Sequence, residues 1–486
     1  MSTFLGIDLG TSSTKVIIMD ESQAILASAT HHTEVSRPHS GWSEQEPADW
    51  VSATTAAIDE LKAKHGALLA DVSGIGLSGH MHGATLLDKA DRILRPCILW
   101  NDTRSHVEAR EMDANPIFRS KTGNIVFPGF TAPKLLWVAR HEPETFAKVA
   151  KVLLPKDFLR LWLTGERVSE MSDAAGTSWL DTGKRQWDDE LLAATGLTKS
   201  QMPCLVEGSD VSGILRTGLA ARWGMKAGVI VAGGAGDNAA SACGIGAVES
   251  GAAFVSLGTS GVLFASNAIY MPNPDSAVHA FCHAVPNTWH QMGVILSATD
   301  SLNWLATLTG RDAAALTGSL GKDLQAPGPV TFLPYLSGER TPYNDATIRG
   351  AFTGIGHESG HIALTKAVVE GVAFGIRDSL DALAIAGTKL TRVTAVGGGS
   401  RSDYWLKTIA TTLGIPVDIP AEGDFGAAFG AARLGLIAAT NADPFEVCKP
   451  PRTERTIEPD ASLIDAYSAA HEKYKSHYTA IKGIQQ

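Results

Sequence analysis

The sequence is poor in cysteine and in charge of either sign, and each shortage excludes a class of protein. Its 5 cysteines among 486 residues are scattered without a C-x-x-C pair, which argues against a disulfide framework and against a zinc site. Charged residues make up 19% of the chain, and the net charge is −10. No basic face is therefore expected, and neither a nucleic acid nor a membrane is an expected partner.

Long hydrophobic segments are also lacking. No uncharged apolar run approaches the roughly 18 residues that a membrane span needs. At the N-terminus, Asp8 interrupts the apolar run before it could form the core of a signal peptide. Together with the cysteine usage, these absences predict a cytoplasmic protein. With 44% hydrophobic residues over 486 positions, the chain is long enough for two domains with apolar cores.

The chain contains an internal repeat. The letters L-G-T-S begin at Leu9 and again at Leu257, each time between two β-type apolar runs, which predicts two similar hairpins. Residues 228–236 and 391–399 form a second pair, each a β-branched run that leads into glycines and a helical stretch.

This pattern predicts an α/β fold with two duplicated domains around a central cleft. Small residues crowd near position 248, so we expect domains at 1–248 and 249–486, with a terminal helix packed on the body.

Both predicted hairpin turns are built from small polar residues. Their backbone N–H groups and hydroxyls would be available to phosphate oxygens. A single such turn is more often an ordinary hairpin, but two turns that face each other could hold a triphosphate from both sides. No Walker sequence is present. The candidate phosphate-binding residues are Gly10, Thr11 and Ser12 in the first turn and Gly258, Thr259 and Ser260 in the second.

Two carboxylates break the symmetry of the repeat. Asp8 precedes the first turn, where the second has Ser256. A carboxylate beside phosphate favours a Mg²⁺ ion between them, directly or through water, although Asp8 could also cap its own turn. Asp237 stands where a helix is predicted to begin, so it is either an ordinary N-cap or a catalytic base that takes a proton from a sugar hydroxyl. The second half has Ser400 at the comparable place, which favours the catalytic role.

Two loops carry side chains suited to a polyhydroxylated ligand. His80 and His82 lie within a glycine-flanked loop. No third ligand is evident, which argues against a metal site, and we expect His82 to donate hydrogen bonds to a sugar. Trp100, Asn101 and Asp102 offer a flat aromatic face beside polar groups, although an isolated tryptophan is usually core.

Together these residues resemble the FGGY group of sugar kinases, within the actin, hexokinase and Hsp70 superfamily. The resemblance covers nearly the whole chain. Residues 6–12 and 256–261 resemble the two phosphate motifs, 397–399 the adenosine motif, and 129–138 the first family signature. Residues 350–355 open the second signature, in which Ala363 replaces an expected polar residue. The resemblance implies two ribonuclease-H-like domains.

The resemblance also implies roles. ATP and Mg²⁺ are the expected cofactors, with Gly398 and Gly399 near the nucleoside and Asp8 ordering the water shell of the metal. Asp237 matches the catalytic base and, with Met81, His82 and Asn238, the sugar contacts. The first domain would bind the sugar and carry the base, and the second would bind the nucleotide.

The expected partners are ATP and a small sugar, and a homodimer stays open. The resemblance makes D-xylulose the sugar expected first. The alternatives are ribulose, a polyol or a sugar acid and, in another class, an ATPase switch that acts on a protein partner.

Overall fold

The computed structural model describes residues 2–421, 423 and 425–485. The strands are β1 (Thr3–Leu9), β2 (Ser13–Asp20), β3 (Ile25–His32), β4 (Glu44–Gln45), β5 (Val72–Gly79), β6 (Thr85–Leu87), β7 (Cys97–Ile98), β8 (Lys151–Leu153), β9 (Val168–Glu170), β10 (Leu180–Asp181), β11 (Gln186–Trp187), β12 (Cys204–Val206), β13 (Val211–Ile214), β14 (Ile230–Ala232), β15 (Ala235–Gly236), β16 (Ala253–Leu257), β17 (Gly261–Asn267), β18 (His279–Cys282), β19 (Trp289–Ile295), β20 (Thr331–Leu333), β21 (Ala351–Thr353), β22 (Val393–Val396), β23 (Val417–Pro420) and β24 (Thr453–Ile457).

The α-helices alternate with these strands through most of the chain. They are α1 (Pro47–Ala70), α2 (His106–Asp113), α3 (Pro116–Thr122), α4 (Thr131–His141), α5 (Pro143–Phe146), α6 (Pro155–Thr164), α7 (Met171–Ala174), α8 (Asp189–Ala193), α9 (Thr217–Trp223), α10 (Asp237–Ile245), α11 (Thr299–Thr309), α12 (Ala313–Gly318), α13 (His361–Ile385), α14 (Asp403–Leu413), α15 (Ala427–Thr440), α16 (Pro444–Val447) and α17 (Ile464–Gln485).

Two large sheets repeat one plan. The first runs in the order β13-β14-β5-β1-β2-β3, with β15 also beside β5. The second runs β18-β19-β17-β16-β22-β23-β24. In each, a hairpin strand pairs antiparallel with its successor and parallel with a later strand: β1 with β2 and β5, and β16 with β17 and β22. The predicted duplicated α/β fold is confirmed.

The two predicted hairpins occupy corresponding places in the sheets. Leu9 is opposite Thr14 at the end of the first hairpin, and Leu257 is opposite Gly261 at the end of the second. The strands form because their apolar residues are buried on both faces of the sheet, as expected for central strands. The polar turns are thereby held at the ends of central strands, and Ser256, two residues before the second turn, lines a cleft together with Gly397.

Helix α15 lies in sequence between β23 and β24 of the second sheet but packs on the first. Glycines in β1 and β5 allow this approach: an added Cβ would lie 1.9 Å from the Ala428 carbonyl oxygen at Gly6, and 1.7 Å from that of Ala431 at Gly76. On its other side, α15 packs against α10, where an added Cβ at Gly430 would lie 1.8 Å from the Ala240 carbonyl oxygen. The expected division at residue 248 takes no account of this exchanged helix.

The last helix, α17, is fixed to the second half through a tyrosine cluster. Tyr467, Tyr474 and Tyr478 are buried, and the Tyr335 hydroxyl donates a hydrogen bond of 2.9 Å to the hydroxyl of Tyr474. Over the part of the chain that the structure describes, every helix is too short or too polar to cross a bilayer.

Candidate active site

The first hairpin turn is tied to the predicted sugar loop at Trp100 and to strand β4. The indole Nε1 of Trp100 donates to Thr11 Oγ1 at 3.0 Å, and Gln45 Nε2 donates to the Thr11 carbonyl oxygen at 2.7 Å. Trp100 is 47% exposed, so it is not a core residue. Its indole joins the predicted sugar loop to the predicted phosphate turn.

The second turn is fixed by the start of α11. The Gly258 carbonyl oxygen accepts from Thr299 Oγ1 at 2.7 Å and from Thr299 N at 2.9 Å. The Thr259 carbonyl oxygen accepts from Ala298 N at 2.8 Å. These hydrogen bonds fix the backbone of the turn, and the side chains of Thr259 and Ser260 are exposed at its surface.

Asp237 is the first residue of α10, directly after Gly236, which caps the helix. Its Oδ1 accepts from Asn238 N at 2.7 Å and from Asn238 Nδ2 at 3.0 Å. Burial, and then the nearby charge of Asp8, raises the pKa of Asp237 to about 6. A carboxylate with this pKa is mostly ionised at neutral pH and is a stronger proton acceptor than an ordinary aspartate.

His82 lies in the loop after β5 with a positive φ of 69°. Its Nδ1 is 2.7 Å from the Gly176 carbonyl oxygen, and its ring stacks on Phe130 with the centroids 4.5 Å apart. Burial, and then the charge of Lys134, lowers the pKa of His82 to about 3.

These contacts correct the expected hydrogen bonding of His82. A carbonyl oxygen only accepts, so the single ring proton of the neutral imidazole is on Nδ1 and Nε2 is an acceptor. A ligand hydroxyl at Nε2 of His82 would therefore donate a hydrogen bond to the ring instead of accepting one from it.

Met81 packs between the two segments that fix the other site residues. It is 6% exposed. An added Cβ at Gly236 would lie 2.8 Å from Met81 Cγ, and one at Gly176 would lie 3.0 Å from Met81 Cε. The structure thus brings Met81, His82 and Asp237 together.

The carboxylate of Asp102 is hydrogen-bonded within the protein. It is 1% exposed. Its Oδ1 accepts from Arg104 N and Nε, each at 2.9 Å, and its Oδ2 accepts from Ser43 N at 2.6 Å and from Arg104 Nη2 at 2.7 Å. This carboxylate anchors the loop, while its neighbour Asn101 is exposed.

A cleft of about 620 Å³ opens beside α10 and continues to the second sheet. Its lining includes Asn238 and Ser241 of α10, Ser256, Gly397 and Arg401. The predicted adenosine glycines, Gly398 and Gly399, follow Gly397 in a short 3-10 turn, and an added Cβ at Gly399 would lie 2.8 Å from Leu257 Cβ. The volume is that of a typical small-molecule site.

The residues present fit a Mg²⁺ ion whose ligands are mostly phosphate oxygens and water molecules. No group of three or more metal-ligating side chains exists among the residues that the structure describes. Mg²⁺ is commonly bound through one or two carboxylates together with substrate phosphates, and Asp8, next to the first turn, is suited to that role.

Sequence reasoning missed two supporting side chains. Lys134 is fully buried and donates to the carbonyl oxygens of His82 and Gly129 at 2.8 and 2.7 Å. Burial lowers the pKa of Lys134 to about 7. Ser172 donates to Glu170 and accepts from the backbone N–H of Gly236. Lys134 lies inside the first signature, which was a usable signal, whereas nothing in the sequence around Ser172 pointed to Gly236.

Paired phosphate turns on duplicated α/β domains define a nucleotide-dependent phosphotransferase. Two models, the N-terminal and C-terminal domains of the FGGY family of carbohydrate kinases, match residues 3–244 and 253–439. The chain belongs to this family, as the motifs predicted, and it is an ATP-dependent sugar kinase that uses Mg²⁺. Family membership favours this activity over the protein-directed ATPase switch.

Individual relatives agree with the family match. The chain is 48% identical to the xylulose kinase of Escherichia coli K12, covering 98% of both chains. It is 47% identical to the xylulose kinase of Klebsiella pneumoniae, covering 99% of both. The crystal structure of a "xyloylose kinase" from Brucella ovis superposes with a TM-score of 0.98 at 64% identity, covering 99% of this chain and 100% of that one.

Proposed function

We propose that this protein transfers the γ-phosphoryl group of ATP to the terminal hydroxyl of D-xylulose, with Asp237 as the general base. The observation that carries the proposal is the position of Asp237: it adjoins the Met81 and His82 loop, and its neighbour Asn238 lines the large cleft. The raised pKa of Asp237 suits proton abstraction near neutral pH. The names of the xylulose kinase relatives support the choice of sugar.

The sugar would lie against the loop after β5. Nε2 of His82 would accept a hydrogen bond from one sugar hydroxyl, and the amide of Asn238 is suited to another. Met81 supplies an apolar surface for the carbon chain. Asp237 takes the proton of the terminal hydroxyl while the oxygen of that hydroxyl attacks the γ-phosphorus. A free alkoxide therefore does not have to form before the transfer.

The triphosphate would lie between the two turns, with Gly10, Thr11 and Ser12 on one side and Gly258, Thr259 and Ser260 on the other. Gly398 and Gly399 border the nucleoside end of the cleft. When bound near Asp8, Mg²⁺ neutralises the phosphate oxygens. Phosphoryl transfer depends mainly on such positioning and neutralisation, which the fixed turns provide.

We further infer that residues 1–248 form the sugar-binding domain and 249–486 the nucleotide-binding domain, with α15 exchanged between them. The cysteines are free thiols, which supports a reducing cytoplasm. A small sugar and ATP are the proposed partners.

The test is ADP release by the purified protein from ATP·Mg²⁺, measured alone and with D-xylulose, D-ribulose, L-ribulose, glycerol and gluconate. We expect the strongest stimulation, measured as kcat/KM, with D-xylulose. Stronger stimulation by another sugar would replace the substrate and keep the mechanism. No stimulation by any of the five would contradict the proposal.

A further inference from the structure

A group of fully buried charges lies beneath the site and takes no part in the proposed reaction. Lys156 Nζ is 2.9 Å from Asp157 Oδ1, 3.2 Å from Glu170 Oε1 and 2.8 Å from Asp173 Oδ2. All four side chains are 0% exposed. Buried charges are costly unless they are paired and hydrogen-bonded, so a cluster of this kind fixes local geometry strongly.

Glu170 connects this buried charge cluster to helix α7. Its Oε2 accepts from Ser172 N at 2.7 Å, and its Oε1 accepts from Asp173 N at 2.9 Å, so the carboxylate caps the helix. The same Oε1 accepts from Ser172 Oγ at 3.0 Å. An ionised carboxylate only accepts, so the Ser172 hydroxyl proton points to Glu170 and its lone pairs face the opposite way.

The Ser172 hydroxyl oxygen accepts a hydrogen bond from the residue that precedes the proposed base. Gly236 N donates to Ser172 Oγ at 3.1 Å, and Gly236 is the residue that caps α10 immediately before Asp237. An unmade hydrogen bond at a buried backbone N–H is costly, so Ser172 fixes where α10 begins.

The same segment also holds the other side of the sugar site. A 3-10 turn, Ala175–Thr177, follows α7 directly, and its Gly176 carbonyl oxygen accepts from Nδ1 of His82 at 2.7 Å. One short stretch of chain, residues 170–177, therefore contacts the backbone next to the base and the ring of the sugar-binding histidine.

We propose that Ser172 is a positioning residue, which holds Asp237 at a set distance from the sugar that His82 binds. The inference rests on the proposed function, because it assigns Asp237 and His82 the roles of base and sugar ligand. Ser172 touches neither the sugar nor ATP, so its removal changes the alignment of reactive groups. A misplacement of about 1 Å can cost about 10²-fold in rate.

The main experiment compares Ser172→Ala with Ser172→Thr and Ser169→Ala. Ser169 is a matched control for the buried cluster: it is a buried serine of β9 that interacts with Asp157, so its removal disturbs the cluster without touching the Gly236 backbone. We expect Ser172→Ala to lower kcat about tenfold, with the KM for ATP changed less than about twofold. Ser172→Thr keeps the hydroxyl and restores most of kcat, and Ser169→Ala keeps the kcat of the parent protein.

A second readout does not depend on activity. Hydrogen exchange followed by mass spectrometry reports on peptides that cover residues 230–245, and we expect faster exchange there in Ser172→Ala than in Ser169→Ala. If Ser172→Ala does not fold, Ser172→Cys, whose sulfur is a weaker acceptor, replaces it, and a lowered kcat at an unchanged Tm supports the proposal.

Three results would overturn it: an unchanged kcat in Ser172→Ala (or in Ser172→Cys, where that variant replaces it), an equal loss in Ser169→Ala, or a KM for ATP that rises as kcat falls. These outcomes differ from a failure of the proposed function, in which the parent protein itself would show no sugar-dependent release of ADP.

Discussion

The two halves of the molecule share a scaffold, but only the first has acidic side chains at two of the corresponding positions. Each has a hairpin turn of Gly, Thr and Ser, and each has a strand that leads through glycines into a helix. Beside these features the first half has Asp8 and Asp237, and the second has Ser256 and Ser400. The repeated backbone suits a symmetric grip on phosphate, whereas the two carboxylates proposed for proton and metal chemistry both lie in one half.

The difference is electrostatic as well as chemical. The charge of Asp8 contributes to the raised pKa of Asp237, second only to burial. Two acids near each other favour the neutral form of one of them, which makes that group a better base once it is ionised. At the corresponding places the second half has serines, which carry no charge.

The largest expected effect comes from removing the acid that distinguishes the first half. Asp237→Asn keeps the size of the side chain but removes the base, and we expect kcat to fall by about 10² to 10⁴. ATP·Mg²⁺ binding, measured by isothermal titration calorimetry, should stay within about twofold because the proposal assigns Asp237 to the sugar and not to the nucleotide. A kcat within tenfold of the parent would contradict the assignment of the base.

The second prediction concerns the packing of α15 on the strand glycines of the first sheet, which gives that sheet a helix from the other half of the sequence. Gly76→Ala places a Cβ 1.7 Å from the Ala431 carbonyl oxygen, and we expect the free energy of unfolding to fall by about 1 to 3 kcal/mol. Gly218→Ala is the control, since an added Cβ there meets nothing within 4 Å. Equal Tm values for the two variants in calorimetry would contradict this packing.

The third change makes the two turns alike. Asp8→Ser reproduces the residue at position 256 and removes the carboxylate proposed to order the water shell of Mg²⁺. We expect the Mg²⁺ concentration for half-maximal activity to rise about tenfold, as for the loss of one charge-assisted interaction. Activity titrated with Mg²⁺ at fixed ATP measures it, and an unchanged midpoint would remove Asp8 from the metal site.

The smallest effect is a shift in pH dependence. The base acts when ionised, so activity rises with pH through its pKa, which is raised to about 6. We expect kcat/KM for the sugar to be half-maximal near this pKa, well above the pH expected for an ordinary carboxyl of about 3.9. The pKa of His82 is about 3, so its ring does not contribute to this limb. A limb that persists in the residual activity of Asp237→Asn would belong to another group.

Local patterns in the sequence predicted the parts of the fold that depend on local chemistry. The hairpins at Leu9 and Leu257 followed from alternating apolar runs and polar turns, and the start of α10 at Asp237 followed from the glycines and the acid, although Gly236 and not Asp237 is the N-cap. The placement of α15 on the first sheet was not predictable, because Gly6 and Gly76 lie hundreds of residues before it. A glycine in a strand shows that something approaches closely, but not what.

The candidate site shows the same limit. The sequence identified His82 as a ligand residue but not its tautomer, which is set by the Gly176 carbonyl oxygen from another segment. It identified Asp102 as polar and near Trp100, but its pairing with Arg104 only two residues away directs the carboxylate into the protein. Residue type suggests chemistry, and tertiary contacts decide whether the group faces a ligand.

The exchange of α15 has a mechanical consequence. The chain passes between the two halves after α10, between β23 and α15, and again between α16 and β24. Segments from all three passages line two adjoining cavities, one of which is the large cleft. The covalent connections between the halves are therefore gathered beside one cleft, and a ligand that fills this cleft would touch both halves at the place where the chain joins them.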